Sequence, residues 1–183
     1  MRHALPLVAP GVCYGALDLP ADLQATQQAA SKLAQSLPRL PRLPRLPGGV
    51  QVISSPLQRC ELFAQALQGI RPDLTYKTDA RLTEMNFGRF EGQRWDSMPP
   101  EALDNWTADF WQHRFGGVES VAEVMTRVAS MWDEACASGQ PQVWITHAGV
   151  IRAATLLAQG VRRIDRAQDW PLTAPAFGEW LAL

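Results

Sequence analysis

The chain has 183 residues, of which 46% are hydrophobic and 19% are charged, and its formal net charge is −1. This length and composition predict one soluble globular domain with a sizeable hydrophobic core. The low net charge argues against general attraction to nucleic acid or to an anionic membrane, so an anion site must be built from local groups. Three scattered cysteines without a CxxC pair, and no apolar run of membrane-spanning length, favour a reduced cytoplasmic protein.

The first part of the chain is rich in glycine and proline, which predicts loop structure over residues 1–20. From Leu23 to Leu37 apolar residues recur in steps of three and four residues, which predicts an amphipathic helix. The stretch LPRLPRLPRLPGG, residues 37–49, contains four prolines, and these exclude a regular helix. We interpret it as a short polyproline-II connector, with a docking motif or an arginine anion patch as the alternatives.

A strand followed by a helix is predicted twice. The run VQVISS, residues 50–55, has the pattern of a buried strand, and Arg59 lies in the first turn of the helix after it. Residues 143–146 form the second predicted strand, which ends at His147 and leads into a helix over residues 150–158. A guanidinium group binds phosphate or carboxylate through two parallel N–H bonds, although a single Arg or His at such a place is often structural.

Two further segments complete the predicted secondary structure. Residues 121–135 carry valines and methionines at helical spacing, and residues 176–183 alternate in a way that predicts a last strand. Strands that alternate with helices predict an α/β fold with a mostly parallel sheet. Ligands in such folds bind at the carboxyl ends of the strands, so Arg59 and His147 are expected to converge on one anion pocket.

Four short motifs, in their order along the chain, resemble those of the histidine phosphatase superfamily, also called phosphoglycerate mutase-like. They are RHA, SSPLQRC, RLTEMNFGRFEG and ITHAGVIR. The resemblance covers nearly the whole chain and implies a three-layer α/β/α domain over residues 1–183, with a variable helical insertion near residues 95–117. The stretches PGVCYGALDLP and NFGRFEGQRWDSM are similar to α-ribazole-5′-phosphate phosphatases, which act in cobalamin biosynthesis.

The resemblance implies a role for each matched residue. His3 would be the nucleophile that forms a phosphohistidine, and Glu84 would protonate the leaving oxygen and later accept a proton from water. Arg2 and Arg59 would bind the phosphoryl oxygens and stabilise the charge of the transition state. His147 would donate a further hydrogen bond, and its imidazolium form is left open. From the residues alone, the alternative interpretation of Glu84 is a surface carboxylate, which is what a Glu in a loop usually is.

Gly15 and Asn86 would help to shape the pocket. The resemblance implies no cofactor and no metal ion, and the three histidines of the chain do not have metal-ligand spacing. The expected partner is a small phosphorylated metabolite, and homodimer formation is left open.

The insertion supplies aromatic residues that either cover an aromatic base such as benzimidazole or form a small helical subcore. These are Trp95, Trp106, Phe110 and Trp111.

The family pattern has a strand of several residues before its Arg-His pair, whereas only Met1 precedes Arg2 here. We therefore expect that the first strand is truncated through a misplaced start. The alternative is a chain that truly lacks this strand, in which the pocket would be malformed and Arg2 and His3 would be held loosely. Ala4 replaces the usual glycine, which requires a backbone without positive φ at that position.

The interpretation with the strongest support is a phosphomonoesterase that uses a phosphohistidine, with α-ribazole 5′-phosphate as its substrate. The alternatives are a phosphoglycerate mutase, a broad-specificity phosphatase, and a non-catalytic phosphate-binding domain.

Overall fold

The computed structural model describes residues 1–37 and 50–183, so nearly all of the predicted connector lies outside the described residues. The helices in this part are α1 (Leu23–Ser36), α2 (Gln58–Ile70), α3 (Pro100–Ala108), α4 (Val121–Ser138) and α5 (Ala148–Ala158). The strands are β1 (Gln51–Ser54), β2 (Tyr76–Thr78) and β3 (Gln142–Ile145). Among these helices, none is long and apolar enough to cross a membrane.

The three strands form one parallel sheet in the order β2-β1-β3. Val52 of β1 is opposite Tyr76 of β2 on one side and Val143 of β3 on the other. Parallel neighbours require crossover connections between them, which is the topology that alternating strands and helices predict. The carboxyl ends of β1 and β3 therefore lie side by side.

Helices cover both faces of the sheet, because adjacent residues of a strand point in opposite directions. Val52 packs with α1 and α2, which contact each other on one face. Ile53 packs with α4 and α5 on the other face. The predicted three-layer α/β/α architecture is thus confirmed, with a hydrophobic core on each side of the sheet.

The first three residues are held firmly, which is contrary to the alternative in which Arg2 and His3 are held loosely. Arg2 forms a parallel β-bridge with Thr146, and the His3 N–H donates to the carbonyl of Thr146 at 3.0 Å. On the other side, the Arg2 N–H donates to the carbonyl of Glu179 at 2.9 Å, and the carbonyl of His3 accepts from Gly178 N–H at 3.1 Å. No strand precedes α1 in residues 1–37. These backbone bonds nevertheless place the His3 side chain at the end of β3.

The strand predicted over residues 176–183 is not formed. Gly178 has a φ of 74°, and the N–H of Glu179 donates to the carbonyl of Ala176 at 3.0 Å, so the segment turns before it can extend. The alternating pattern was misleading because the turn at Gly178 has no other sequence signal than one glycine. Ala4 was expected to have a backbone without positive φ. This is confirmed, since no non-glycine residue in the described ranges has positive φ.

Candidate active site

The side chains that the resemblance assigns to catalysis converge at the carboxyl ends of β1 and β3. His147 directly precedes α5, Arg59 lies in the first turn of α2, and the bridge to Thr146 brings His3 beside them. All three side chains are buried, with exposed fractions of 2% for His3, 0% for Arg59 and 1% for His147. Buried polar groups of this kind need hydrogen-bond partners, and their partners define the state of each residue.

His3 is held as a neutral imidazole with one defined tautomer. Its Nδ1 lies 2.7 Å from the carbonyl oxygen of Ala4, and because a carbonyl can only accept, Nδ1 carries the proton. Burial lowers the pKa of His3 to about 3, and the charges of Arg59 and Arg2 act in the same direction. The unprotonated Nε2 therefore keeps its lone pair at neutral pH, which is the form that a nitrogen nucleophile requires.

His147 is also neutral, so the free protein does not hold the imidazolium form that the sequence left open. Its Nδ1 accepts a hydrogen bond from Arg59 Nε at 3.3 Å, so the ring proton lies on Nε2, which is 2.9 Å from Ser55 Oγ. Burial is the largest cause that lowers the pKa of His147 well below its usual value. The charge of Arg59, and then that of a protonated His3, lower this pKa further. The His3 and His147 ring centroids are 5.1 Å apart.

Arg59 is fixed by the loop that follows the first residues of the chain. Its Nη1 donates to the carbonyl of Leu17 at 2.8 Å and its Nη2 to that of Gly15 at 2.6 Å. A guanidinium group has five N–H donors, so the bonds to Leu17, Gly15 and His147 leave two for a ligand. Within the described ranges Arg59 has no carboxylate partner, which leaves its charge available to an anion.

Arg2 is the second cation of the site. Its Nη1 donates to the carbonyl of Pro175 at 3.0 Å, and its guanidinium carbon lies 3.8 Å from the centroid of the Phe177 ring. Its buried Nε has no hydrogen-bond partner in residues 1–37 and 50–183. Burial lowers the pKa of Arg2, while Tyr14 and Glu84 act against that shift. An anion bound here would supply the missing acceptor for Nε.

Glu84 faces the start of α5. Its Oε2 accepts from the Gly149 N–H at 3.0 Å, and its Oε1 accepts from the Met85 N–H at 3.1 Å. A Cβ atom at position 149 would collide with Oε1 of Glu84, so only glycine allows this approach. The carboxyl group is partly exposed and belongs to a loop rather than to a strand end. It is therefore a fixed, accessible proton donor or acceptor beside the helix that follows His147.

Gly15 and Asn86, which were expected to shape the pocket, have different surroundings. A Cβ at Gly15 would collide with the carbonyl of Met85, so this glycine permits close contact of two loops. The Asn86 side chain instead accepts from the Gly88 N–H at 2.8 Å, which stabilises the turn of its own loop. The Asn86 N–H donates to Glu119 at 3.0 Å. Asn86 thus stabilises the loop that also carries Glu84.

Sequence reasoning missed two residues of this site. Tyr14 lies near both arginines: burial raises the pKa of its phenol, and the charges of Arg2 and Arg59 act in the opposite direction. Ser55 orients His147 through the hydrogen bond at Nε2. Helix α2 begins later in the chain, at Gln58, and Ser55 Oγ also accepts from the Leu57 N–H at 3.3 Å. The signal that could have identified them is their position within stretches quoted above, PGVCYGALDLP for Tyr14 and SSPLQRC for Ser55.

Comparisons with known proteins show the family and the fold of the chain. Residues 2–175 match the family model described as histidine phosphatase superfamily (branch 1). A mycobacterial glucosyl-3-phosphoglycerate phosphatase has a similar structure, with a TM-score of 0.68, 25% identity, and coverage of 87% of this chain and 77% of that chain. A protein of Thermus thermophilus has a TM-score of 0.65 and 27% identity over 88% of this chain and 83% of that chain. No curated protein matches the sequence.

The chain belongs to the histidine phosphatase superfamily, because the family model covers nearly all of it. Its fold is accordingly that of the phosphoglycerate mutase-like proteins, and the chain is a phosphatase.

Proposed function

We propose that the chain hydrolyses α-ribazole 5′-phosphate through a phosphohistidine formed on His3. The observation that carries the mechanism is the state of His3, which is buried and neutral, with its proton fixed on Nδ1. Arg2 and Arg59 have unused N–H donors beside it, and Glu84 is held near them by Gly149. This arrangement supplies a nucleophile, an anion clamp and a proton donor, which is what phosphoryl transfer requires.

The first step is an in-line attack of His3 Nε2 on phosphorus. The N–P bond forms while the ester P–O bond breaks, and the carboxyl group of Glu84 gives its proton to the leaving alkoxide. Nδ1–H stays hydrogen-bonded to the carbonyl of Ala4, which offsets the positive charge that the ring acquires. The donors of Arg2 and Arg59 stabilise the charge that spreads over the phosphoryl oxygens.

The second step releases the product and restores the enzyme. Water attacks the phosphohistidine, the carboxylate of Glu84 takes a proton from that water, and the N–P bond breaks to give inorganic phosphate. His3 returns to its neutral form, which its buried position favours. His147 serves in both steps as a neutral group that keeps Arg59 in place through the Nε–H···Nδ1 bond.

The substrate is proposed on two grounds. The loop motifs of the chain are similar to those of α-ribazole-5′-phosphate phosphatases, and a cavity lined by aromatic side chains adjoins Glu84. Glucosyl-3-phosphoglycerate is the second candidate, because a similar structure is a phosphatase of that compound. The aromatic lining of this cavity favours a substrate that carries an aromatic ring.

The test is phosphate release, with EDTA and without added metal, from α-ribazole 5′-phosphate, glucosyl-3-phosphoglycerate, 3-phosphoglycerate and p-nitrophenyl phosphate. We expect the highest kcat/KM for α-ribazole 5′-phosphate. His3→Ala should reduce kcat by at least about 1,000-fold, since it removes the nucleophile. His113→Ala is the matched control, because it changes a histidine that lies outside the site.

Rapid acid-free quenching of the wild-type reaction should trap a phosphoprotein that is stable in alkali and labile in acid, as expected for a phosphohistidine. The trapped species should be absent from His3→Ala and present in His113→Ala. A higher kcat/KM for one of the other esters would overturn the substrate proposal. A phosphoprotein of unchanged yield in His3→Ala would overturn the role of His3.

A further inference from the structure

We infer that Phe177 is a positioning residue for phosphoryl transfer, because its ring holds the guanidinium group of Arg2 in the orientation that binds the phosphoryl group. The inference rests on the proposed function in one respect, namely that Arg2 binds this group. Phe177 lies outside the motifs quoted above and beyond residues 2–175, the part of the chain that matches the family model. The family resemblance therefore gives this residue no role.

The Phe177 ring contacts both side chains that the first residues of the chain bring to the site. The guanidinium carbon of Arg2 lies over the ring, 3.8 Å from its centroid. The centroid of the same ring is 5.5 Å from that of His3, and the two ring planes are tilted by 40°. One aromatic side chain thus connects the nucleophile of the proposed mechanism to one of its two anion-binding arginines.

A contact with an aromatic face suits an arginine that has to bind an anion. The guanidinium group is planar and its N–H bonds lie in that plane, so a ring against its face uses none of them. Arg2 Nη1 donates to the carbonyl of Pro175 at 3.0 Å. The ring of Phe177 and this bond together fix the plane of the group and leave N–H bonds of Arg2 for the phosphoryl oxygens.

The backbone beside Phe177 is bonded to the same two residues that the ring contacts. Gly178 has a φ of 74°, and its N–H donates to the carbonyl of His3 at 3.1 Å. The carbonyl of Glu179 accepts from the Arg2 N–H at 2.9 Å. The turn that carries the ring is therefore fixed relative to the Arg2 and His3 side chains.

The same turn is anchored on α1. A Cβ at position 178 would lie 2.9 Å from the Cβ of Ala29, so glycine allows the turn to pack directly on this helix. The Glu179 carboxylate pairs with Lys32 at 2.6 Å, and Trp180 packs against the hydrophobic core that α1 and α2 share. The fold itself thus determines where the ring of Phe177 lies.

The test is the binding of inorganic phosphate, measured by isothermal titration calorimetry and as the Ki in the hydrolysis of p-nitrophenyl phosphate. Phe177→Leu keeps an apolar side chain and removes the aromatic face, so the Kd of phosphate should rise about five- to tenfold. Phe177→Tyr keeps this face and should restore a Kd within about twofold of the wild type. A ring that only filled space would not make this distinction.

The matched control is Trp111→Leu. The guanidinium carbon of Arg163 lies 5.9 Å from the centroid of the Trp111 ring, so the substitution removes a contact of the same kind away from Arg2 and His3. It should leave the Kd of phosphate unchanged. Urea unfolding of each variant verifies that the protein is folded under the conditions of the binding experiment.

A double-mutant cycle separates an effect through Arg2 from a general effect on the site. Arg2→Ala should itself weaken phosphate binding, and Phe177→Leu should cause no further loss in that background, because the side chain that the ring holds is gone. An equal loss from Phe177→Leu in the wild-type and Arg2→Ala backgrounds would overturn the inference. A loss in Phe177→Tyr as large as that in Phe177→Leu would overturn it as well.

The outcomes distinguish this inference from the proposed function. If Arg2→Ala weakens phosphate binding and Phe177→Leu leaves it unchanged, the anion-binding role of Arg2 stands and the positioning role of Phe177 fails. If Arg2→Ala leaves phosphate binding unchanged, the role of Arg2 in the proposed function fails, and the inference fails with it. A preference for another ester over α-ribazole 5′-phosphate would overturn the proposed substrate alone, because the probe here is inorganic phosphate.

Discussion

His3 and His147 lie with their ring centroids 5.1 Å apart, and each is held in its neutral form by a different partner. The carbonyl of Ala4 keeps the His3 proton on Nδ1, whereas Arg59 and Ser55 keep the His147 proton on Nε2. Two imidazolium ions at this distance beside Arg59 would repel one another in a buried site. In the proposed mechanism, His3 is therefore the nucleophile and His147 is a neutral group that supports the anion-binding Arg59.

This relationship predicts a dependence of stability on pH. The pKa of His3 falls from its ordinary value of 6.5 to about 3 on folding, so between these values the unfolded chain binds a proton that the folded protein excludes. The contribution to stability is complete above pH 6.5 and is lost as the pH falls towards 3. His147 acts in the same direction. Urea unfolding of the wild type between about pH 4 and 8 should show this slope.

The variant that checks this prediction is His3→Gln, which removes one of the two titrating groups. Its unfolding free energy should fall less steeply below pH 6.5 than that of the wild type. Equal slopes for His3→Gln and the wild type would show that the His3 proton is not excluded on folding.

Gly149→Ala should impair the proton transfer at Glu84. Alanine is ordinarily the better helix former by about 1 kcal/mol, but a Cβ at this position would collide with the Glu84 carboxylate. We expect kcat for α-ribazole 5′-phosphate to fall by about 10- to 100-fold, because a displaced Glu84 would lose part of the roughly 100- to 10,000-fold that general acid catalysis contributes. The loss should be smaller for p-nitrophenyl phosphate, whose leaving group needs little protonation. Gly69→Ala, in the open surroundings of α2, is the control.

The sequence predicted the part of the site that the parallel sheet determines. Arg59 and His147 each follow a predicted strand, and the carboxyl ends of parallel strands meet at one edge, so their convergence follows from local pattern and topology. Glu84 was found only through the family resemblance. Its position depends on a hydrogen bond to the Gly149 N–H, a contact across 65 residues that no local periodicity records.

The protonation of His147 and the role of the insertion were beyond sequence reasoning for another reason. Both depend on packing: burial and a neighbouring guanidinium set the state of His147, and stacking on Phe115 decides which aromatic residues face a cavity. The strand predicted over residues 176–183 was wrong because a single positive φ at Gly178 turns the chain. Such a turn outweighs a short alternating pattern.

Arg127 should be important for the loop that carries Glu84. Its Nη1 donates to the carbonyls of Arg81 and Thr83 at 2.7 and 2.6 Å, and its Nε pairs with Glu119 at 2.7 Å in a largely buried bridge. Arg127→Met leaves these acceptors unpaired, so we expect a loss of about 1–3 kcal/mol in unfolding free energy and a lower kcat.

The matched control for Arg127 is Arg162→Met. Arg162 pairs with Asp133, and both side chains are more than half exposed, so its loss should change the unfolding free energy by less than about 1 kcal/mol. Chemical denaturation and steady-state kinetics on both variants check the prediction. Similar effects of the two substitutions would contradict a supporting role of Arg127 for the Glu84 loop.

Glu91 should position Arg59 without touching the substrate. Its carboxylate accepts from the N–H groups of Gly15 and Leu17 at 2.8 and 3.1 Å, and the carbonyls of the same two residues accept from Arg59. Glu91→Gln turns an NH2 group towards these N–H donors, so the loop that holds Arg59 should shift. We expect the Ki of inorganic phosphate to rise several-fold and the unfolding free energy to fall by about 1–3 kcal/mol. Glu101→Gln, on the exposed side of α3, should change neither quantity appreciably. A loss of stability in Glu91→Gln with unchanged phosphate affinity would mean that Arg59 keeps its position without this loop.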